Sequence, residues 1–194
     1  MCGDHHLIGS CHHNLGVIHM WSGNYEESII EFNKAVTVRT RTLTLNHPAV
    51  AVSYHIKKNS IMLKVAYLTY FVLQVSLSKV GLAYFALEQL DNALEALEKA
   101  LNIRKIVLQH GSLEIAKLLN NIASIHYQKG DTRIALKKFN EALEIMKIFM
   151  EGPIRRESIV YDTSIILTNI GKLYLERKKY DLAYRMLEEA LMVS

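Results

Sequence analysis

Apolar residues in this chain recur at intervals of three and four, the period of helices that bury one face. The pattern arrives in four blocks: "NLGVIHMWSGNYEESIIEFNKAV" (14–36), "KVGLAYFALEQLDNALEALEKAL" (79–101), "NIASIHYQKGDTRIALKKFNEAL" (121–143) and "NIGKLYLERKKYDLAYRMLEEAL" (169–191). Each block opens with a small residue, Gly16, Gly81, Ala123 or Gly171. Three positions on comes an aromatic or histidine (His19, Tyr84, His126, Tyr174). Twelve positions after the first small residue comes a second one (Ser28, Ala93, Ala135, Ala183), followed four later by a bulky one (Phe32, Leu97, Phe139, Leu187). Each block closes with Ala35, Ala100, Ala142 or Ala190. Small residues sit where two helix backbones come close, and bulky ones fill the gaps between them. Each block therefore reads as two packed helices. Gly23-Asn24 and Gly130-Asp131 mark turns within a pair, with Asn24 and Asp131 expected to cap the second helix. One pair cannot bury its apolar face; stacked pairs can.

Eight helices follow, over 5–21, 25–43, 48–87, 90–109, 113–128, 132–149, 157–176 and 180–193. The small–aromatic–small–bulky order resembles the tetratricopeptide repeat, whose opening Leu-Gly is matched by Leu15-Gly16 and approximated by Ile170-Gly171. From Gly81 to Ala123, and again from Ala100 to Ala142, the spacing is 42 residues rather than the plain 34. That longer form, with "KALNIRKIV", "NHPAVAVS" and "LEIAKLLNN", is similar to the repeats of kinesin light chains. The resemblance implies an all-α fold, a right-handed α-solenoid of about four tetratricopeptide helix pairs. It implies one solenoid over residues 1–194, with repeats at about 9–46, 47–110, 111–152 and 157–194. It also implies a non-catalytic module for protein–protein interaction that holds an extended peptide in its concave groove. No sustained heptads appear, so the coiled coil of that family has no counterpart here.

One stretch breaks the register. Gly16 to Gly81, and Ala35 to Ala100, are each 65 residues, an excess of 23 over the repeat. Val52-Ser53 recurs 23 residues later as Val75-Ser76, so residues 54–76 read as an in-frame insertion, of the kind a translated intron produces. It includes most of "KVAYLTYFVLQVSL" (64–77), the most apolar run in the chain. A membrane-tethered adaptor is the rival reading of that run. It is disfavoured because Ile61 to Val75 is only 15 residues and contains Lys64, whereas a span needs about 20 apolar residues. A milder excess of six falls around "EGPIRRES", where Gly152-Pro153 signals a longer loop between repeats.

Charge adds one constraint. The net charge is +4, and Lys57, Lys58 and Lys64 of the insertion, with no acid beside them, supply +3 of it. The remainder carries no basic face for nucleic acid. The N-terminus lacks a basic region followed by a long apolar core, so no signal peptide is expected and the chain reads as cytoplasmic. "ALMVS" ends the chain at the close of a second helix, with no polar capping helix, as in a fragment of a larger scaffold or signalling protein.

Candidate chemistry is sparse. Cys2, His5, His6, Cys11, His12 and His13 are potential metal ligands, but adjacent histidines on a helix point about 100° apart and cannot all converge. No metal or cofactor is expected. No phosphate-binding loop, H-E-x-x-H or G-x-S-x-G occurs, and His19 and His126 fall on a packing position, so no enzyme is expected. The resemblance places the first helix of each pair on the concave face. There Asn14, Lys79, Asn121 and Asn169 share one repeat position, with Lys117, Asn120, Ser124 and Lys172 on neighbouring turns. Asparagine both gives and accepts hydrogen bonds, which suits an extended peptide backbone. The lysines favour protein segments with acidic side chains.

Overall fold

The protein is described by a computed structural model covering residues 4–45, 60–107, 112–152 and 157–193. Among these residues the chain is all helix: α1 (Asp4–Trp21), α2 (Tyr25–Leu45), α3 (Ser60–Ala86), α4 (Leu90–Val107), α5 (Leu113–Gln128), α6 (Thr132–Met150), α7 (Glu157–Glu176) and α8 (Tyr180–Val193). These are the eight expected helices, with one difference. The third was expected from 48; residues 48–59 lie outside the described ones, and α3 begins at Ser60. Residues 60–76 of the insertion are thus helical and continuous with the repeat helix that follows. Residues 153–156, in the expected loop between repeats, lie outside the described ones.

The chain forms two compact units, Met1–Val107 and Leu108–Ser194. In the first, α1 packs on α2, α2 on α3 and α3 on α4. In the second, α5 packs on α6, α6 on α7 and α7 on α8.

Close approach within each pair explains the small residues. A Cβ on Gly16 would sit 2.7 Å from the ring of Phe32, one on Gly81 2.6 Å from Leu97, and one on Gly171 2.8 Å from Leu187. Ser28 uses the same proximity: its buried hydroxyl donates to the carbonyl of Gly16 at 2.9 Å. Phe32, Leu97, Phe139 and the alanines Ala35, Ala100 and Ala142 are buried to 1% exposure or less.

All four pairs turn alike. The N–H of Asn24, Gln89, Asp131 and Lys179 donates to the carbonyl of His19, Tyr84, His126 and Tyr174 respectively, at 2.8–2.9 Å. The preceding N–H, of Gly23, Glu88, Gly130 and Lys178, donates three residues back. This is the Schellman closure, and it needs a left-handed residue. Gly23 (φ 78°) and Gly130 (φ 84°) supply it without strain, while Glu88 (φ 59°) and Lys178 (φ 56°) supply it with a side chain attached. The expected cap at Asp131 is corrected. Asp131 occupies the N-cap position of α6 but makes no side-chain bond to it. The turn instead folds Asp131 back over His126, and its carboxylate meets His126 Nδ1 at 3.2 Å.

Among the described residues, no helix is long and apolar enough to cross a membrane.

Candidate functional site

The eight candidate residues divide between the units. Asn14 (α1) is exposed and Lys79 (α3) half-buried in the N-terminal unit. Lys117, Asn120, Asn121 and Ser124 on α5, and Asn169 and Lys172 on α7, belong to the C-terminal unit. Lys117 and Lys172 are exposed, and the other four are half-buried.

In the C-terminal unit these six residues lie on two first helices that run side by side. Lys117 Nζ meets the Asp162 carboxylate at 2.9 Å near the start of both helices. The Tyr127 hydroxyl donates to Glu176 near their ends. That hydrogen bond, aided by burial and the carboxylate charge, pushes the Tyr127 pKa above its ordinary value. Between these two cross-helix ties lies a mainly uncharged stretch of amides and hydroxyls: Asn120, Asn121 and Ser124 on α5, and Thr168 and Asn169 on α7. Ser124 and Thr168 donate to carbonyls four residues back, at 3.0 and 2.8 Å. Their hydroxyl oxygens still have acceptor capacity. The side-chain oxygen of Asn120 is buried and has no hydrogen-bond partner.

Asp162 and Glu176 escaped sequence reasoning. Each pairs with a residue more than forty positions away, and nothing local in "YDTSIIL" or "YLERKK" signals it. Lys117 was expected to select acidic segments; in the structure its ammonium is already paired.

The N-terminal unit holds a second polar seam. Arg39, only 3% exposed, donates to Ser76, and His13 Nδ1 lies 3.1 Å from the same hydroxyl. Burial lowers the Arg39 pKa to about 10. The His13 ring packs against Phe32 in a tilted arrangement, with centroids 5.4 Å apart and planes at 51°. Its pKa is lowered first by burial and then by the Arg39 and Lys79 charges. Arg104, 4% exposed, reaches Gln74 Oε1 at 3.5 Å. A signal for these buried arginines was present in the sequence: Arg39 and Arg104 are 65 residues apart and so share a repeat position. A cavity of about 210 Å³ in the same unit is lined by Asn33, Val80, Tyr84, Glu95 and Lys99 among others; neither Asn14 nor Lys79 lines it.

Of the N-terminal metal candidates, Cys2 and the side chains of His5 and His6 lie outside the described residues. Cys11 is an exposed free thiol. His12 Nδ1 pairs with Glu31 at 2.7 Å. The hydrogen bond from Lys34, and after it the one from His12, holds the Glu31 carboxyl below its ordinary pKa. Among the described residues, no group of three or more His, Cys, Asp or Glu side chains is placed to hold a metal ion.

Three family models, each described as a tetratricopeptide repeat, match residues 9–49, 73–148 and 165–194. The matches leave out 50–72, most of the stretch that breaks the repeat register. The fold is similar to the crystal structure of kinesin light chain-like, nearly identical TPR-like repeats from Podosopora anserina (TM-score 0.65, 16% identity, covering 95% of this chain and 74% of that one). It is also similar to BtubC (BKLC) from P. vanneervenii (TM-score 0.57, 19% identity, 99% and 71% covered). No curated protein matches the sequence. Four helix pairs with shared close contacts and turns, and family matches across most of the chain, agree: the protein belongs to the tetratricopeptide-repeat family, whose members generally serve as protein-interaction modules.

Proposed function

We propose that this chain is a non-catalytic, cytoplasmic binding module that holds an extended segment of a partner protein between α5 and α7. The observation that carries the reading is the amide and hydroxyl stretch bounded by the Lys117–Asp162 and Tyr127–Glu176 ties. The ties hold the two helices in register, so the polar groups between them are positioned before a ligand arrives, which lowers the ordering cost of binding. An extended backbone offers an N–H and a C=O at every residue. Asn121 and Asn169, at one repeat position on parallel helices, can clamp it.

Preference for acidic segments rests here on the exposed Lys172, while Lys117 stays paired with Asp162. Lys79 and Asn14 extend the same repeat position in the N-terminal unit. Such binding weakens as salt rises.

The test is a peptide-array screen on the full chain, followed by titration of the best binders. Asn121→Ala and Asn169→Ala should each cost about 1–2 kcal/mol of affinity, the penalty for a lost hydrogen bond in a desolvated site. Their melting curves should match the parent. Unchanged affinity in both variants, with the fold intact, removes these asparagines from the site.

A further inference from the structure

We propose that the uncovered face of α1 docks α8 of a second copy of this chain, joining copies head to tail. The first helices share repeat positions, and α1 departs from the others in burial. Leu15 is 44% exposed, whereas its counterparts Val80, Ile122 and Ile170 are at most 3% exposed. Ile18 is 57% exposed, whereas Ala83, Ile125 and Leu173 are at most 1%. Ile8 repeats the pattern at 43% against 7% or less. Together they form a stripe of turn-spaced apolar side chains, extended by Trp21 at 81% exposure.

Within the C-terminal unit, the same stripe of α7 is covered by the second helix of the preceding pair, α6. Leu143 on α6 is 7% exposed there; its repeat counterpart on α8, Leu191, is 79% exposed. Tyr180 and Tyr184 lie on the same side of α8, 64% and 66% exposed. So α8 presents uncovered the face that α6 gives to α7, and α1 presents uncovered the face that α7 gives to α6. The register follows from the internal contact. Arg177, just after α7, donates to Thr132 at the start of α6 at 2.8 Å, so the two helices run antiparallel. Transferred to the joint between copies, Tyr180 meets Ser22, beside Trp21, and Leu191 meets the turn of α1 that follows Ile8. The surfaces joined are different ones, so the contact is heterologous. The joint borders Asn14, which stands four residues before Ile18 on α1, and it does not rest on the peptide reading, which is carried by α5 and α7.

Sedimentation velocity of the full chain over a concentration series tests this. The unaltered protein should self-associate as concentration rises. Ile18→Glu and Leu191→Glu each place a charge in the joint while leaving the fold alone, since both side chains are exposed. Each should weaken association about tenfold or more. An equimolar mixture of the two variants retains one intact joint and should form a 1:1 dimer that grows no further. Trp21→Ala and Tyr184→Ala provide a milder second pair if either charged variant fails to fold. A monomer at every concentration, a dimer that survives in one variant alone, or a mixture that stays monomeric overturns the proposal. A monomer that instead takes up an unrelated amphipathic helical peptide along α1 also overturns it.

Discussion

Two kinds of residue set the local geometry: those that permit close approach and those that turn the chain. The first kind was legible in sequence, because Gly16, Gly81 and Gly171 recur opposite bulky partners. The turns were only half legible. Gly23 and Gly130 announce a left-handed closure, but Glu88 and Lys178 adopt it without any compositional mark. A left-handed conformation costs a residue with a Cβ about 1–2 kcal/mol, partly offset by the greater unfolded-state freedom of glycine. Lys178→Gly should therefore stabilise the C-terminal unit by about 0.5–1 kcal/mol, read as a higher melting temperature; a lower one would show that the lysine side chain contributes more than its backbone costs. His13 carries a pH prediction. Its pKa in the folded chain lies below the ordinary value of 6.5. As pH falls through 6.5 the unfolded chain binds a proton that the folded chain resists, so stability declines until the folded pKa is passed. Melts between about pH 7 and pH 5 should show this decline, and His13→Gln should flatten it. An identical slope in the variant would remove His13 as its source.

At the level of elements, α3 is the anomaly. It runs for 27 residues where the other first helices run for 16 to 20. The insertion supplies Leu73, Gln74 and Ser76 to the buried face of the N-terminal unit. Gln74 stands at a position filled elsewhere by Gly9, Ala116 and Ser164, and so is the largest residue there. We expect deletion of residues 54–76 to leave the fold standing. It would put Val50, Ala51, Val52 and Ser53 at the positions of residues 73–76, returning a hydroxyl for Arg39 and His13 and a small residue at the Gln74 position. The loss is the Arg104–Gln74 bond, which at 3.5 Å is long and falls at the low end of the about 1.5–3 kcal/mol of hydrogen bonds to charged groups. Thermal melts and soluble yield of the deletion variant should equal or exceed those of the parent. An unfolded deletion variant would make the insertion an integral part of the core. The repeat arithmetic located this segment; that its end would reach buried arginines was not legible, because those contacts join α3 to α2 and α4 across 30 to 37 residues.

At the scale of the whole molecule, four pairs of helices repeat one packing scheme, and repetition made the family and the helix order readable from sequence. Every equivalent position reports the same contact, so four weak local patterns reinforce one another. The candidate site was readable only to the helix face. Lys117 and Tyr127 met their partners Asp162 and Glu176 only in the folded chain, where two first helices lie side by side. Those ties turn the candidate site from a row of free lysines into a bounded amide stretch, and the proposed binding requires a ligand to touch that stretch. The direct measurement is side-chain amide NMR of the full chain, titrated with a peptide selected from the array. The Asn120, Asn121 and Asn169 side-chain NH2 resonances should shift in step with occupancy, while Asn33 and Asn92, on second helices, stay in place. Shifts confined to the second helices, with those three asparagine signals unmoved at saturation, would contradict the account.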